Sequence, residues 1–251
     1  MPVHELAQLT WEEVRELDRE RTVAILPVGA IEAHGPHLPV DADVTIAIAM
    51  ARAGAAKLSP RGHPAVVLPA LVYTTAGFAA AFPGTLSISP ETVTALLVDI
   101  AKSLTQQRFR LFALANAHLD PAHLSALYAA VERARAEHLL PVAFPDISKK
   151  PWGARLGDEF KSGACHAGRF ETSILMAEGP RHVRDAMRQS LPPNPNSLSR
   201  AIRDGKRTFT EAGGPRAYFG SPAEATRDEG NHTIDVLGGI LEDAVLAELK
   251  A

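Results

Sequence analysis

Three residues in one short stretch have the types and spacing to hold a metal ion. Glu32, His34 and Asp43 lie within Glu32-Ala33-His34-Gly35-Pro36-His37-Leu38-Pro39-Val40-Asp41-Ala42-Asp43. Carboxylate oxygens and imidazole nitrogens are the donors that borderline divalent cations take. His34 follows Glu32 by two residues and Asp43 follows His34 by nine, so the chain must reverse to return Asp43 to its start. Gly35, Pro36 and Pro39 suit such a reversal. A carboxylate placed like Asp43 can bridge two ions, as two-metal hydrolases require. The spacing alone leaves a second reading open, a solvated loop with Asp43 capping the helix that follows.

Two further segments carry candidate groups, each with an ordinary structural alternative. His118 stands in Asn116-Ala117-His118-Leu119-Asp120, where a lone strand-end histidine is a ligand or a structural residue. Asp120, before Pro121, reads as the N-cap of the next helix. His123 reads as a partly exposed helix histidine on the same face as Asp120. In Cys165-His166-Ala167-Gly168-Arg169-Phe170-Glu171-Thr172-Ser173, Glu171 reads by itself as a carboxylate favoured by a helix N-terminus.

Taken together, residues 22–176 resemble the creatininase family of metal-dependent amidohydrolases. The twelve-residue string matches that family's Glu-x-His-Gly-Pro-His-Leu-Pro segment ending in Asp. Phe82-Pro83-Gly84-Thr85 matches its Phe-Pro-Gly-Thr segment, for which a structural turn is the expected role. The resemblance implies Glu32, His34, Asp43 and His118 as metal ligands, with Glu171 or Asp120 completing the set. It implies His166 as proton donor, with Glu171 beside it in the catalytic machinery. The implied cofactor is a pair of divalent ions per subunit, Zn²⁺ first, with Mn²⁺ or Fe²⁺ as alternatives.

The activity so implied is hydrolysis of a C–N bond in a small-molecule amide, a cyclic, creatinine-like one being the leading expectation. Formamide deformylase, peptidase, and non-catalytic metabolite-binding paralogue are the alternatives. A homo-oligomer, a hexamer built from dimers, is implied by the resemblance alone. The departures concern substrate. Leu119, Asp120 and Pro121 replace two glycines and an asparagine, Arg169 replaces a glutamate, and Cys165 replaces an acidic residue. The added positive charge either selects an anionic substrate or sits at a subunit contact. Only one tryptophan, Trp152, falls where creatininase uses tryptophans to enclose its substrate.

The elements that must position these groups are legible in the hydrophobic pattern. Short apolar runs at 22–28, 65–71, 110–115 and 140–144 read as buried strands. Helices are expected from Thr10, whose capping box pairs it with Glu13, then over 43–57, from Pro90 behind Ser89 to 107, over 121–138, from Glu171, and over 234–249. Alternating strands and helices predict an α/β fold, a three-layer α/β/α sandwich with a mostly parallel central sheet. Ligands in such folds sit beyond the carboxyl ends of strands, where both histidine-bearing loops fall. Residues 180–222, rich in Pro, Gly, Arg and Ser, are expected as a loop excursion within one domain spanning 1–251.

With 251 residues, 46% of them hydrophobic and 22% charged, the chain can bury a sizeable core. A net charge of -3 advertises neither nucleic acid nor an anionic membrane as partner. Cys165 is the sole cysteine, which excludes an internal disulfide and a cysteine-based zinc site. The start Met1-Pro2-Val3-His4-Glu5 lacks the basic and apolar regions of a signal peptide, so the expected location is cytoplasmic.

Overall fold

A computed structural model describes residues 4–179, 181 and 183–250; Met1 to Val3, where the leader reading began, and Pro180 lie outside them. Five parallel strands form one sheet: β1 (His4–Glu5), β2 (Val23–Val28), β3 (Ala65–Val67), β4 (Leu111–Asn116) and β5 (Val142–Ala143), in the order β1-β3-β2-β4-β5. All six residues of β2 and of β4 are buried, as strands covered on both faces must be. Their register runs from Val23 opposite Leu111 to Val28 opposite Asn116. The loops bearing Glu32 and His118 therefore leave the sheet side by side.

Strand alternation splits the core in two. Val23 and Ile25 face a layer formed by α2 (Ala42–Leu58), α6 (Arg169–Glu178) and α9 (Arg227–Glu248). Ala24, Leu26 and Val28 face α3 (Pro90–Gln106) and α4 (Pro121–Ala136). The expected three-layer sandwich is thus present. Short helices α1 (Trp11–Glu16), α5 (Asp158–Ser162), α7 (Asp185–Ser190) and α8 (Leu198–Arg203) complete the helical set among the described residues. None of the described helices is long and apolar enough to cross a membrane.

Local signals account for most element starts. Thr10 and Glu13 cap α1 reciprocally, and Ser89 accepts a hydrogen bond from the Thr92 N–H at the head of α3. Helix α9 begins seven residues earlier than Ile234, capped by Thr226, whose side chain accepts from the Glu229 N–H. At Gly230 of α9 a side chain would collide with the Ser173 carbonyl of α6. Its role is to let two helices touch.

Within the expected 180–222 excursion, described residues from 198 onward pack into the body of the protein. Leu198, Phe209, Ala212, Ala217 and Phe219 are buried in a third apolar cluster, against which Phe78 and Phe82 pack. That cluster walls one side of the site.

Candidate metal centre

The loop after β2 folds back as its composition predicts. The Glu32 N–H donates to the Val40 carbonyl (2.9 Å), which closes the reversal and returns the chain to the head of α2. Gly29 makes this possible, because a Cβ there would stand 2.5 Å from the Val44 nitrogen. Asp43 is thereby pressed over the end of β2. The Phe82–Thr85 turn holds the loop from outside: Thr85 Oγ1 accepts from the Ala33 N–H (3.1 Å), and the Leu86 N–H donates to Ile31 (2.9 Å). His37, which spacing left without a role, is buried and pairs its Nε2 with Thr172 Oγ1 (2.9 Å), tying the loop to α6.

Six side chains converge: Glu32, His34, Asp43, His118, His166 and Glu171, each no more than 5% exposed. Asp43 is central. Its Oδ1 is 3.1 Å from His34 Nε2 and its Oδ2 is 2.9 Å from His118 Nδ1. Glu32 Oε1 lies 3.4 Å from His118 Nδ1, 3.7 Å from His166 Nδ1 and 4.0 Å from His34 Nε2. Glu171 Oε2 lies 3.6 Å from His34 Nε2. Donor atoms gather into three groups: Glu32, Asp43 and His118; His34, Asp43 and Glu171; and Glu32, His34 and His166.

The outer nitrogen of each histidine is spoken for. His34 Nδ1 faces the Glu32 carbonyl (3.1 Å), His118 Nε2 the Thr75 carbonyl (2.8 Å) and His166 Nε2 the Ala33 carbonyl (2.9 Å). A carbonyl only accepts, so each of those nitrogens carries a proton. The inner nitrogens are then free to offer lone pairs to the carboxylates' side of the site, the arrangement of metal-ligating histidines. Glu32 Oε2 and Asp43 Oδ2 are buried without a hydrogen-bond donor. Buried carboxylate oxygens facing imidazole lone pairs call for a cation, so the donor set fits a divalent metal.

The electrostatics agree. Burial alone would discharge His34 and His118, but Asp43, Glu171 and Glu32 outweigh it, pushing His34 up to about 10. His118 is likewise held well above its ordinary value by Glu32 and Asp43. Burial would raise Asp43, yet His34 and His118 hold it below the usual carboxylate range. Burial, reinforced by Asp43 and Glu32, pushes Glu171 up to about 8 against the opposing effect of His34. Without an ion the site must hold protons where positive charge is needed, and metal would displace them.

Asp120 stands apart from these groups. Its Oδ1 accepts from the Ala122 (2.8 Å) and His123 (3.4 Å) N–H groups and its Oδ2 from Phe78 (3.1 Å), so it N-caps α4 and anchors the neighbouring loop. Asp120→Ala is expected to lower stability by about 2 kcal/mol and leave metal content unchanged. Denaturant melts beside metal analysis check this, and metal loss would restore Asp120 as a ligand.

His123 is fully buried rather than partly exposed. Its Nε2 faces Asn116 Oδ1 (2.9 Å), while Asn116 Nδ2 donates to the His118 carbonyl (2.7 Å). Asn116 and His123 thus orient the His118 segment, a role no spacing rule signals. Arg169 turns away from the site and pairs with Glu229 (3.1 Å) and Glu224 (3.4 Å) at the head of α9. Trp152 packs on the α2-side core and does not line the pocket. Cys165 does line it, but burial, then Glu171 and Glu159, push its thiol up to about 12, so no reactive thiolate forms at neutral pH.

A pocket of about 610 Å³, measured to its open mouth, leads to these donors; Phe78, Leu119, Leu198, Ile202 and Phe209 wall it. The Phe209 ring lies 4.2 Å from that of His166.

Known proteins share this arrangement of elements. The family model described as creatininase, creatinine amidohydrolase, matches residues 7–245. A mycofactocin precursor peptide peptidase of Mycobacterium tuberculosis is 32% identical over 228 residues, covering 88% of this chain and 82% of the relative. A creatinine amidohydrolase of Pseudomonas putida is 28% identical over 196 residues, covering 70% and 72%. The solved structure "Creatininase Mn" superposes with a TM-score of 0.71 at 24% identity, covering 99% of this chain and all of that one. A match over nearly the full length, with a parallel sheet whose strand ends hold buried carboxylates and imidazoles, makes this chain a hydrolase of the creatininase family.

Proposed function

We propose that this protein hydrolyses a C–N amide bond with two divalent ions, one held by Glu32, Asp43 and His118 and the other by His34, Asp43 and Glu171. The observation that carries the reading is Asp43, a buried carboxylate whose two oxygens face histidines of two different donor groups. Such ions supply a Lewis acid for the amide carbonyl and a water acidic enough to act at neutral pH. Zn²⁺ or Mn²⁺ suits the mixed carboxylate and imidazole set, and creatininase structures of Mn and of Zn-Zn type are among the solved relatives.

His166 moves the proton. Burial and the neighbouring His34 hold it neutral, well below the ordinary imidazole value, with its proton on Nε2 toward Ala33. Its Nδ1 faces the site and is free to take a proton and deliver it to the leaving nitrogen. Phe209 fixes the ring from the other side.

A peptide-like amide is the favoured substrate. Apolar walls and an open mouth suit a chain better than a small ring, and the relatives at 30% identity or more are named as peptide peptidases. A creatinine-like cyclic amide is the second reading, favoured by the 28% identical creatinine amidohydrolase. Chelated protein reloaded with Zn²⁺ or Mn²⁺ and assayed on creatinine, formamides and short peptides is expected to release amine from peptides. Activity unchanged by chelation would overturn the metal assignment. Inertness of fully loaded protein across the panel would favour a metabolite-binding paralogue.

A further inference from the structure

The pocket at the donor groups does not end at its mouth. Leu119, Ser148, Cys165 and Ser199 on its rim also line a second, larger cleft of about 1040 Å³. Its walls come from three separate segments: the loop after β5 supplies Lys149 and Lys150, α5 supplies Lys161, and the end of α8 supplies Arg203. Ile147 and Phe160 give it an apolar floor, and among the described residues no carboxylate lines it.

Two of the four cations are already engaged. Lys149 meets the Tyr128 hydroxyl (3.0 Å) and Asp146 (3.6 Å), and Lys161 pairs with Asp158 (2.8 Å). Lys150 and Arg203 are exposed and have no carboxylate partner among the described residues. A concave surface with cations on its walls concentrates the field and favours anions.

We propose that this cleft is a subsite for a carboxylate-bearing extension of the substrate, held while the scissile amide lies at the donor groups. The inference rests on the amide-hydrolase reading and narrows it to acidic, extended chains. Lys150 and Arg203 select the anion, and the Ile147 and Phe160 floor takes the aliphatic part of the side chains that carry it. The charge that the sequence departures offered through Arg169 is spent on α9, and these residues supply it instead.

Fluorescence anisotropy with rhodamine-labelled peptides tests this on metal-loaded protein. The probes are Ala-Gly-Glu-Glu amide, Ala-Gly-Gln-Gln amide and Ala-Gly-Gln-Gln with a free C-terminus, and the last separates a terminal carboxylate from side-chain ones. A carboxylate-bearing probe is expected to bind about tenfold more tightly than the neutral amide. The double variant Lys150→Gln/Arg203→Gln is expected to erase that preference, whereas the equal-charge control Arg15→Gln/Arg135→Gln keeps it. Equal binding of all three probes, or an unchanged preference in the double variant, overturns the subsite. Amine release from the same peptides is read separately. Hydrolysis without a charge preference overturns the subsite alone, while cleft-dependent binding with no hydrolysis overturns the peptide-hydrolase reading and the substrate role of the cleft with it.

Discussion

Asp43→Asn is expected to strip the protein of both ions and to lower turnover by about 10³-fold or more. Asparagine matches aspartate in shape, so the head of α2 and its packing against Gly29 survive. It keeps one oxygen, however, and presents an NH₂ group at the other position. Because Oδ1 faces His34 and Oδ2 faces His118, either orientation of the amide spoils one donor group, and the lost charge weakens the other. Metal analysis after equilibration and desalting should find two ions per wild-type chain and fewer than one in the variant. Thermal melts provide a second readout. Ligand at 100 times its Kd stabilises the folded state by about 2.7 kcal/mol, so added metal should raise the wild-type Tm and leave that of Asp43→Asn nearly unmoved. A variant that retains two ions would remove Asp43 from the centre of the site.

The second large effect concerns a proton rather than a ligand. His166→Asn is expected to reduce kcat by about 10²- to 10⁴-fold while KM and metal content change little. His166 Nδ1 stands within reach of Glu32 (3.7 Å), so the geometry alone also admits it as a ligand in the group with Glu32 and His34. The split between kcat and metal content separates the two roles. Full metal content with slow turnover is the signature of a proton carrier. Loss of one ion per chain would make His166 a ligand and leave the proton transfer without a residue.

Different parts of this site were legible to different degrees. Glu32, His34 and Asp43 sit on one loop, where the spacing and the turn residues between them already describe a reversal. His118, His166 and Glu171 entered through the resemblance of their segments, because no local rule links positions so far apart in the chain. The register of β2 with β4 sets Asn116 opposite Val28 and brings the His118 loop beside the Glu32 loop at the carboxyl end of the sheet, and the segment leading into α6 adds His166 and Glu171. Asp120 had two readings of comparable merit; its oxygens meet the Ala122 and Phe78 N–H groups, and the metal content of Asp120→Ala tests the other reading.

The sequence by itself determined the alternation of strands and helices, the caps at Thr10 and Ser89, and the loop that carries the first three donors. These follow from periodicity and from interactions between residues within a few positions of one another. Only the tertiary structure decided that His123 is buried beneath His118, that Arg169 faces α9, and that Leu198, Ile202 and Phe209 wall the pocket. Burial is a property of what packs against a residue, and a segment rich in Gly, Pro and Ser still orders when Phe209 and Phe219 find an apolar cluster. The same reason governs the opening triad: Glu32, His34 and Asp43 are chemically suited to metal on their own, but the fold buries them, adds His118, His166 and Glu171, and shares Asp43 between two histidines.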